Sequence, residues 1–142
     1  MTKPDVKAGD LFVFYGLLKL GAAGQPADLP LASAGAFGAP CRFRARMVDL
    51  GGFPGVVEGS ELCHGTRWKL SDVAIVAPMD AFEDVTDDPA TSLYIRRRIA
   101  LADDAGRETG EQAWIYWYNQ PVDGKPAVPD GNWPLGAGKP RK

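Results

Sequence analysis

The chain has 142 residues, 45% of them hydrophobic and 24% charged, and its 18 acidic and 16 basic side chains leave a formal charge of −2. That length suits one domain with a core that needs no disulfide or metal, and the near-balanced charge excludes retention on nucleic acid or an anionic membrane by net charge alone. The two cysteines form no Cys-x-x-Cys pattern and His64 is the sole histidine, so a zinc site lacks ligands, while adjacent Cys63 and His64 would face opposite sides of a strand. The opening MTKPDVKAGD has no apolar core of signal-peptide length, and no segment approaches about 18 apolar residues in a row, so a cytoplasmic protein is expected.

Residues 11–21 read LFVFYGLLKLG, a buried strand broken by Gly16. Two readings of the turn stand side by side. It is an ordinary glycine turn, or it presents successive amides between Gly16 and Gly21 to an anionic or carbonyl oxygen. Residues 22–36 are rich in Ala, Pro and Gly and predict a loop with one helical turn. Residues 37–50 alternate, with Arg42, Arg44 and Arg46 on one face and Cys41, Phe43, Ala45 and Met47 on the other, and predict a long strand bending at Gly38 or Pro40. The arginines serve either a solvated sheet face or a phosphate patch.

Residues 49–59, DLGGFPGVVEG, carry too many glycines for a regular element and predict a tight loop that buries its own Phe53. Residues 61–70 predict a strand with Thr66, Trp68 and Leu70 on one face and Arg67 and Lys69 on the other. Ser71 or Asp72 can cap a helix running to about Val85, with Pro78 kinking it or marking the first turn of a shorter helix. Met79 and Phe82 form its apolar stripe, and Glu83 sits beside that stripe. An acidic, proline-broken loop follows at 86–92. Strands are expected at 93–102 and 112–119, the second with Trp114, Tyr116 and Tyr118 on one face and Ile115 and Trp117 on the other. Beyond Gln120 an irregular arm is expected, with Trp133 as its only strong anchor. The sum is one α+β domain over 1–142, a curled or closed sheet with a helix covering one opening.

The segments FVFYGLLKLG, DLGGFPGVVEG, MDAFEDV, LYIRR and AWIYWY stand in the order and rough separation of the gamma-glutamylcyclotransferase-like family, a resemblance that covers about residues 11–118. The resemblance implies a small mixed β-barrel with one covering helix. It also implies a cofactor-independent enzyme that needs no metal and converts a small gamma-glutamyl amine or amino acid to 5-oxoproline and the free amine. The family's Tyr-Gly-Ser/Thr-Leu motif, whose amides hold the glutamyl group, falls on Tyr15, Gly16, Leu17 and Leu18. The family's catalytic glutamate falls on Glu83, and the aromatic start of the next strand on Tyr94, with Arg96 two residues later. Two departures stand out: Leu17 replaces a small hydroxylated residue, and Asp84 replaces a glycine.

The residues support the chemistry on their own terms. Cyclisation needs a base for the amine nucleophile and an acid for the leaving nitrogen, and one carboxyl group can serve both. A free glutamate titrates near ~4.3, and burial beside Met79 and Phe82, or an ionised Asp80 one turn away, would raise that value. The alternative for Glu83 is a half-exposed carboxylate paired with Arg96 or Arg97. Gly52, Phe53 and Pro54 are expected to form part of the pocket wall. Tyr15, Tyr94 and Tyr116 either bring hydroxyls to the pocket or pack as core, and Trp114 and Trp117 read as core. The hollow is expected to be of glutamyl size. The acidic run at 80–88 lacks EF-hand spacing and reads as a solvated helix end. A competing reading makes the same fold a non-catalytic ligand-binding or protein-interaction module.

Overall fold

The protein is described by a computed structural model covering residues 6–88, 90–136 and 138. Five strands dominate it: β1 (Leu11–Phe14), β2 (Gly35–Asp49), β3 (Pro54–Leu70), β4 (Tyr94–Ala102) and β5 (Glu108–Tyr118). Two short helices, α1 (Leu31–Ala34) and α2 (Val76–Phe82), and two 3-10 turns accompany them. The strands pair in the order β1-β3-β2-β4-β5 and the sheet closes on itself. The long β2–β3 hairpin runs from Gly35 opposite Leu70 to Asp49 opposite Pro54. The seam is one parallel pair, Phe12 opposite Trp114. No helix among the described residues is long and apolar enough to cross a membrane.

The period-2 pattern of β2 decides its orientation as expected. Phe43, Ala45 and Met47 are fully buried, whereas Arg44 is exposed and Arg42 and Arg46 are half-buried. Arg42 bonds the carbonyls of Cys63 and Leu62 and meets Asp104, while Arg44 bonds those of Ser60 and Gly106, so both guanidiniums already have partners at the sheet surface. All five strands contribute to one apolar cluster, with Val13, Phe43, Cys63, Leu101 and Ile115 among its members. The opposite faces of β1, β3 and β5 pack Phe12, Phe14, Trp68, Trp114 and Tyr116 beneath α1 and α2 in a second cluster. The expected division of β5, with Trp114, Tyr116 and Tyr118 apart from Ile115 and Trp117, separates these two clusters.

Three expectations need correction. The stretch 49–59 is not wholly loop, because β3 begins at Pro54 and runs 17 residues. Its glycines answer tertiary demands: a Cβ on Gly55 would lie 2.9 Å from Tyr118 and Leu50, and one on Gly59 would lie 2.7 Å from Arg46. Gly59 stands where the β2–β3 register shifts between Ala45 and Arg46, a use of strand glycine that local sequence does not reveal. The expected helix to Val85 is shorter: Asp72 caps a 3-10 turn at Val73–Ile75, and α2 then ends at Phe82. Pro78 is its third residue, where the missing N–H breaks no helical bond. Finally, Trp133 is not the arm's only anchor, because Val128 is equally buried and its N–H donates to the Met47 carbonyl at 2.9 Å.

Candidate active site

At the end of β1 the chain turns, with the Lys19 N–H closing on the Gly16 carbonyl at 3.1 Å. Tyr15, Leu17 and Leu18 are buried, and among the described residues no hydrogen bond takes up the N–H groups of Gly16, Leu17 or Leu18. Buried amides of this kind call for an acceptor, and successive ones form an anion-binding nest. The loop is held from behind: Gln25 Nε2 donates to the Leu17 and Lys19 carbonyls, and Ala23 N–H donates to that of Leu135. The Lys19 ammonium reaches the Trp133 carbonyl, and burial lowers its pKa.

A cavity opens beside this loop, lined by Val13, Phe14, Tyr15, Gly16, Leu17 and Leu18 on one side. Phe53, Pro54, Phe82, Glu83, Tyr94 and Tyr116 complete it. Of the residues expected to catalyse or to bind substrate, Gly52 alone does not line it; it stands in the turn before Phe53 with φ 101°. The expected hollow of glutamyl size is also corrected. The cavity measures about 20 Å³, the room of roughly one water molecule. Leu17 and Leu18 fill its loop side, and Gly16 lies so close to Pro54 that a Cβ there would be 2.7 Å from the proline ring.

The hydroxyls of the three lining tyrosines brace the wall. Tyr15 donates to the Tyr116 carbonyl at 2.6 Å and Tyr94 to the Pro54 carbonyl at 2.6 Å, so the ring of Tyr94 and the start of β3 hold one another. Tyr116 donates to Asp80 Oδ1 at 2.8 Å. Trp114 is buried beneath Arg96 and Arg98, and Arg97 stacks on half-buried Trp117 at 4.3 Å.

Glu83 is half-buried and caps the C-terminal end of α2, its N–H bonded to the Met79 carbonyl at 3.0 Å. The helix stops there because Asp84 enters the left-handed region at φ 54°. Asp84 N–H then returns to Ala81 and Val85 N–H to Asp80, the bond pair of a Schellman ending. The position that the resemblance assigns to glycine is thus the left-handed one, which explains why glycine suits it. This ending fixes where the Glu83 side chain leaves the helix.

Sequence reasoning placed Asp80 one turn from this carboxylate but missed what binds it. Asp80 accepts from Arg96 Nε at 3.1 Å and Nη2 at 2.9 Å as well as from Tyr116. Arg96, one of the two arginines expected beside Glu83, bonds Asp80 on the same helix. The available signal was the pairing of β4 with β5, which sets Arg96 opposite Tyr116.

Residues 12–135 match the family model described as gamma-glutamyl cyclotransferase, AIG2-like. The gamma-glutamylcyclotransferase family proteins YtfP of Escherichia coli (strain K12) and ytfP of Citrobacter rodentium are each 30% identical over 88 residues, 62% of this chain. The chain spans 66% of the length of these relatives. The solution structure of ytfP from Escherichia coli superposes with a TM-score of 0.62 at 24% identity, over 87% of this chain and 95% of that one. An uncharacterized Pyrococcus horikoshii protein gives 0.57 at 12% identity, over 87% and 88%. At these identities the two structures establish a shared fold.

Proposed function

As the chain belongs to the gamma-glutamyl cyclotransferase, AIG2-like family, we propose that it cyclises a small gamma-glutamyl amine or gamma-glutamyl amino acid, releasing 5-oxoproline and the free amine. The observation that carries this reading is that Glu83 and the loop of Gly16, Leu17 and Leu18 line one cavity. In the proposed reaction, Glu83 takes a proton from the substrate's α-ammonium. The freed amine attacks the γ-carbonyl, and a new C–N bond closes the five-membered ring. The amides of Gly16, Leu17 and Leu18 stabilise negative charge on the substrate, a contribution that preorganised donors make without reorganising during the reaction. Glu83 then returns the proton to the leaving nitrogen as the original amide C–N bond breaks, and the ring nitrogen passes its second proton through the same carboxylate to the departing amine, which leaves as an ammonium, so protons and bonds balance.

A cavity of about 20 Å³ does not hold a glutamyl group, so binding must move a wall. Phe53 is the mobile part in this proposal. It is half-buried and follows Gly51 and Gly52, whose φ values of 100° and 101° belong to glycine's own conformational range. Tyr15, Leu18, Pro54, Tyr94 and Tyr116 form the fixed part of the substrate site.

Glu83→Gln separates this reading from a non-catalytic module. With a panel of gamma-glutamyl amines and dipeptides, the wild-type chain releases 5-oxoproline, and the variant loses that release while still binding substrate. Wild-type protein that binds members of the panel without releasing 5-oxoproline identifies the module instead.

A further inference from the structure

Three hydrogen-bond donors converge on Asp80, one of them the hydroxyl of the cavity-lining Tyr116. Arg96 reaches both carboxylate oxygens, at 3.1 and 2.9 Å, and the Tyr116 hydroxyl reaches Oδ1 at 2.8 Å. The Asp80 and Arg96 side chains are only 15% and 9% exposed, so water competes little for these bonds. Three elements hold the arrangement: Asp80 comes from α2, Arg96 from β4 and Tyr116 from β5, the last two directly opposite in the ladder. Arg96 also lies over the Trp114 ring, 5.6 Å from its centre.

A phenol has one proton to donate, and here it points at Asp80. Whatever the same oxygen meets from the cavity, it can only accept. Burial first, and then the charge of Asp80, push the Tyr116 pKa well above its ordinary value, so the hydroxyl keeps its proton and the bond its direction. The charge of Glu83 reaches this phenol too, and both residues line the cavity. Among the described residues that line it, none is Lys, Arg or His.

We propose that Asp80, clamped by Arg96, is a positioning residue that fixes the Tyr116 hydroxyl as a hydrogen-bond acceptor, and that the cavity thereby selects substrates presenting a primary ammonium group. This rests on the cyclotransferase reading, because the ammonium in question is the one that Glu83 deprotonates. Tyr116 accepts one N–H while Glu83 accepts another, and the nitrogen is aimed at the γ-carbonyl as its proton leaves. An amide at position 80 offers a donor as well as an acceptor, so it can turn the hydroxyl's proton toward the cavity and set it against the ammonium.

The test compares a gamma-glutamyl alkylamide with the glutaryl alkylamide that differs only in lacking the α-ammonium. The first is followed as a substrate by kcat and KM, and the second as a competitive inhibitor by Ki. In Asp80→Asn, KM for the gamma-glutamyl compound rises on the order of ten- to a hundred-fold, the scale of one hydrogen bond to a charged group, while Ki for the glutaryl compound stays within about three-fold. Tyr116→Phe keeps the Asp80–Arg96 pair and gives the same split, so the test survives if Asp80→Asn does not fold. Equal weakening of both compounds in the folded variants would mean a merely structural role and overturns this inference alone. A wild-type chain that neither releases 5-oxoproline nor binds either compound overturns the cyclotransferase reading and this inference with it.

Discussion

Gly16 offers a clean test of how the site is built, because its backbone is not in the left-handed region and its need for glycine comes from a single contact. In Gly16→Ala the new Cβ would lie 2.7 Å from Pro54 Cγ and 2.9 Å from Cδ. Carbon atoms rest near ~3.5–4.0 Å, so about 1 Å of displacement is required. Pro54 cannot supply it cheaply: its ring is rigid, it opens β3 opposite Asp49, and its carbonyl is held by Tyr94 at 2.6 Å. Overpacking of this kind costs about 1–3 kcal/mol, and at roughly 3 °C per kcal/mol for a chain of this size the melting temperature falls by about 3–9 °C. If the loop moves instead, the amides of Leu17 and Leu18 move with it, and 5-oxoproline release drops by up to about a hundred-fold, the scale of a 1 Å misplacement. Urea unfolding of Gly16→Ala, Pro54→Ala and the double variant measures the coupling. The double variant should recover at least ~1 kcal/mol relative to the sum of the singles. Additive effects within ~0.5 kcal/mol, or a Gly16→Ala cost below that, would refute the close approach as the reason for glycine.

Other outcomes follow from groups around the sheet and the helix end. Asp84→Gly relieves a left-handed backbone at φ 54° and should stabilise the chain by about 0.5–1 kcal/mol in thermal melts; destabilisation would show that the aspartate side chain contributes more than its backbone costs. Cys41 and Cys63 are buried and their thiols are pushed up to about 11 by burial, so neither should react with a thiol reagent at pH 8 until the protein unfolds. Because their ordinary value is 9.0, the unfolded chain loses these protons first, and stability should fall as pH rises from about 9 to about 11; a flat stability profile there contradicts their burial. The Arg67 hydrogen bonds to Glu111, at 2.6 and 3.1 Å, hold the Glu111 carboxyl below its ordinary 4.5. That contribution is present above pH 4.5 and is lost as pH falls through the lowered value. At 39% exposure it is worth less than about 1 kcal/mol, so Glu111→Gln should flatten the acid limb of a stability profile only slightly, and a larger change would count against this pair as an ordinary surface bridge.

What the sequence disclosed, and what it withheld, follow from the range of the interactions involved. The alternation of Cys41, Phe43, Ala45 and Met47 with arginines is a local signal that a closed sheet obeys, since one face must be dry and the other wet. The start of β3 was hidden because Gly55 and Gly59 answer to Tyr118 and Arg46, residues that reach them only through pairing. The end of α2 slipped by three residues for a related reason. A glycine after Glu83 would have marked the stop, and Asp84 adopts the same left-handed turn without carrying that mark. The place of Glu83 beside Met79 and Phe82 was legible from helical spacing, and its assignment to the site came from the family resemblance, whereas the convergence of Arg96 and Tyr116 on Asp80 depends on the β4–β5 register. The closed state of the cavity lay further out of reach, because it is set by how near Pro54 comes to Gly16 and by the bulk of Leu17 and Leu18 between them. Under the proposed reaction the same geometry ties turnover to movement: a gamma-glutamyl group seated between Glu83 and the loop would have to part those walls, and the two positive-φ glycines before Phe53 are where the backbone can yield with least strain.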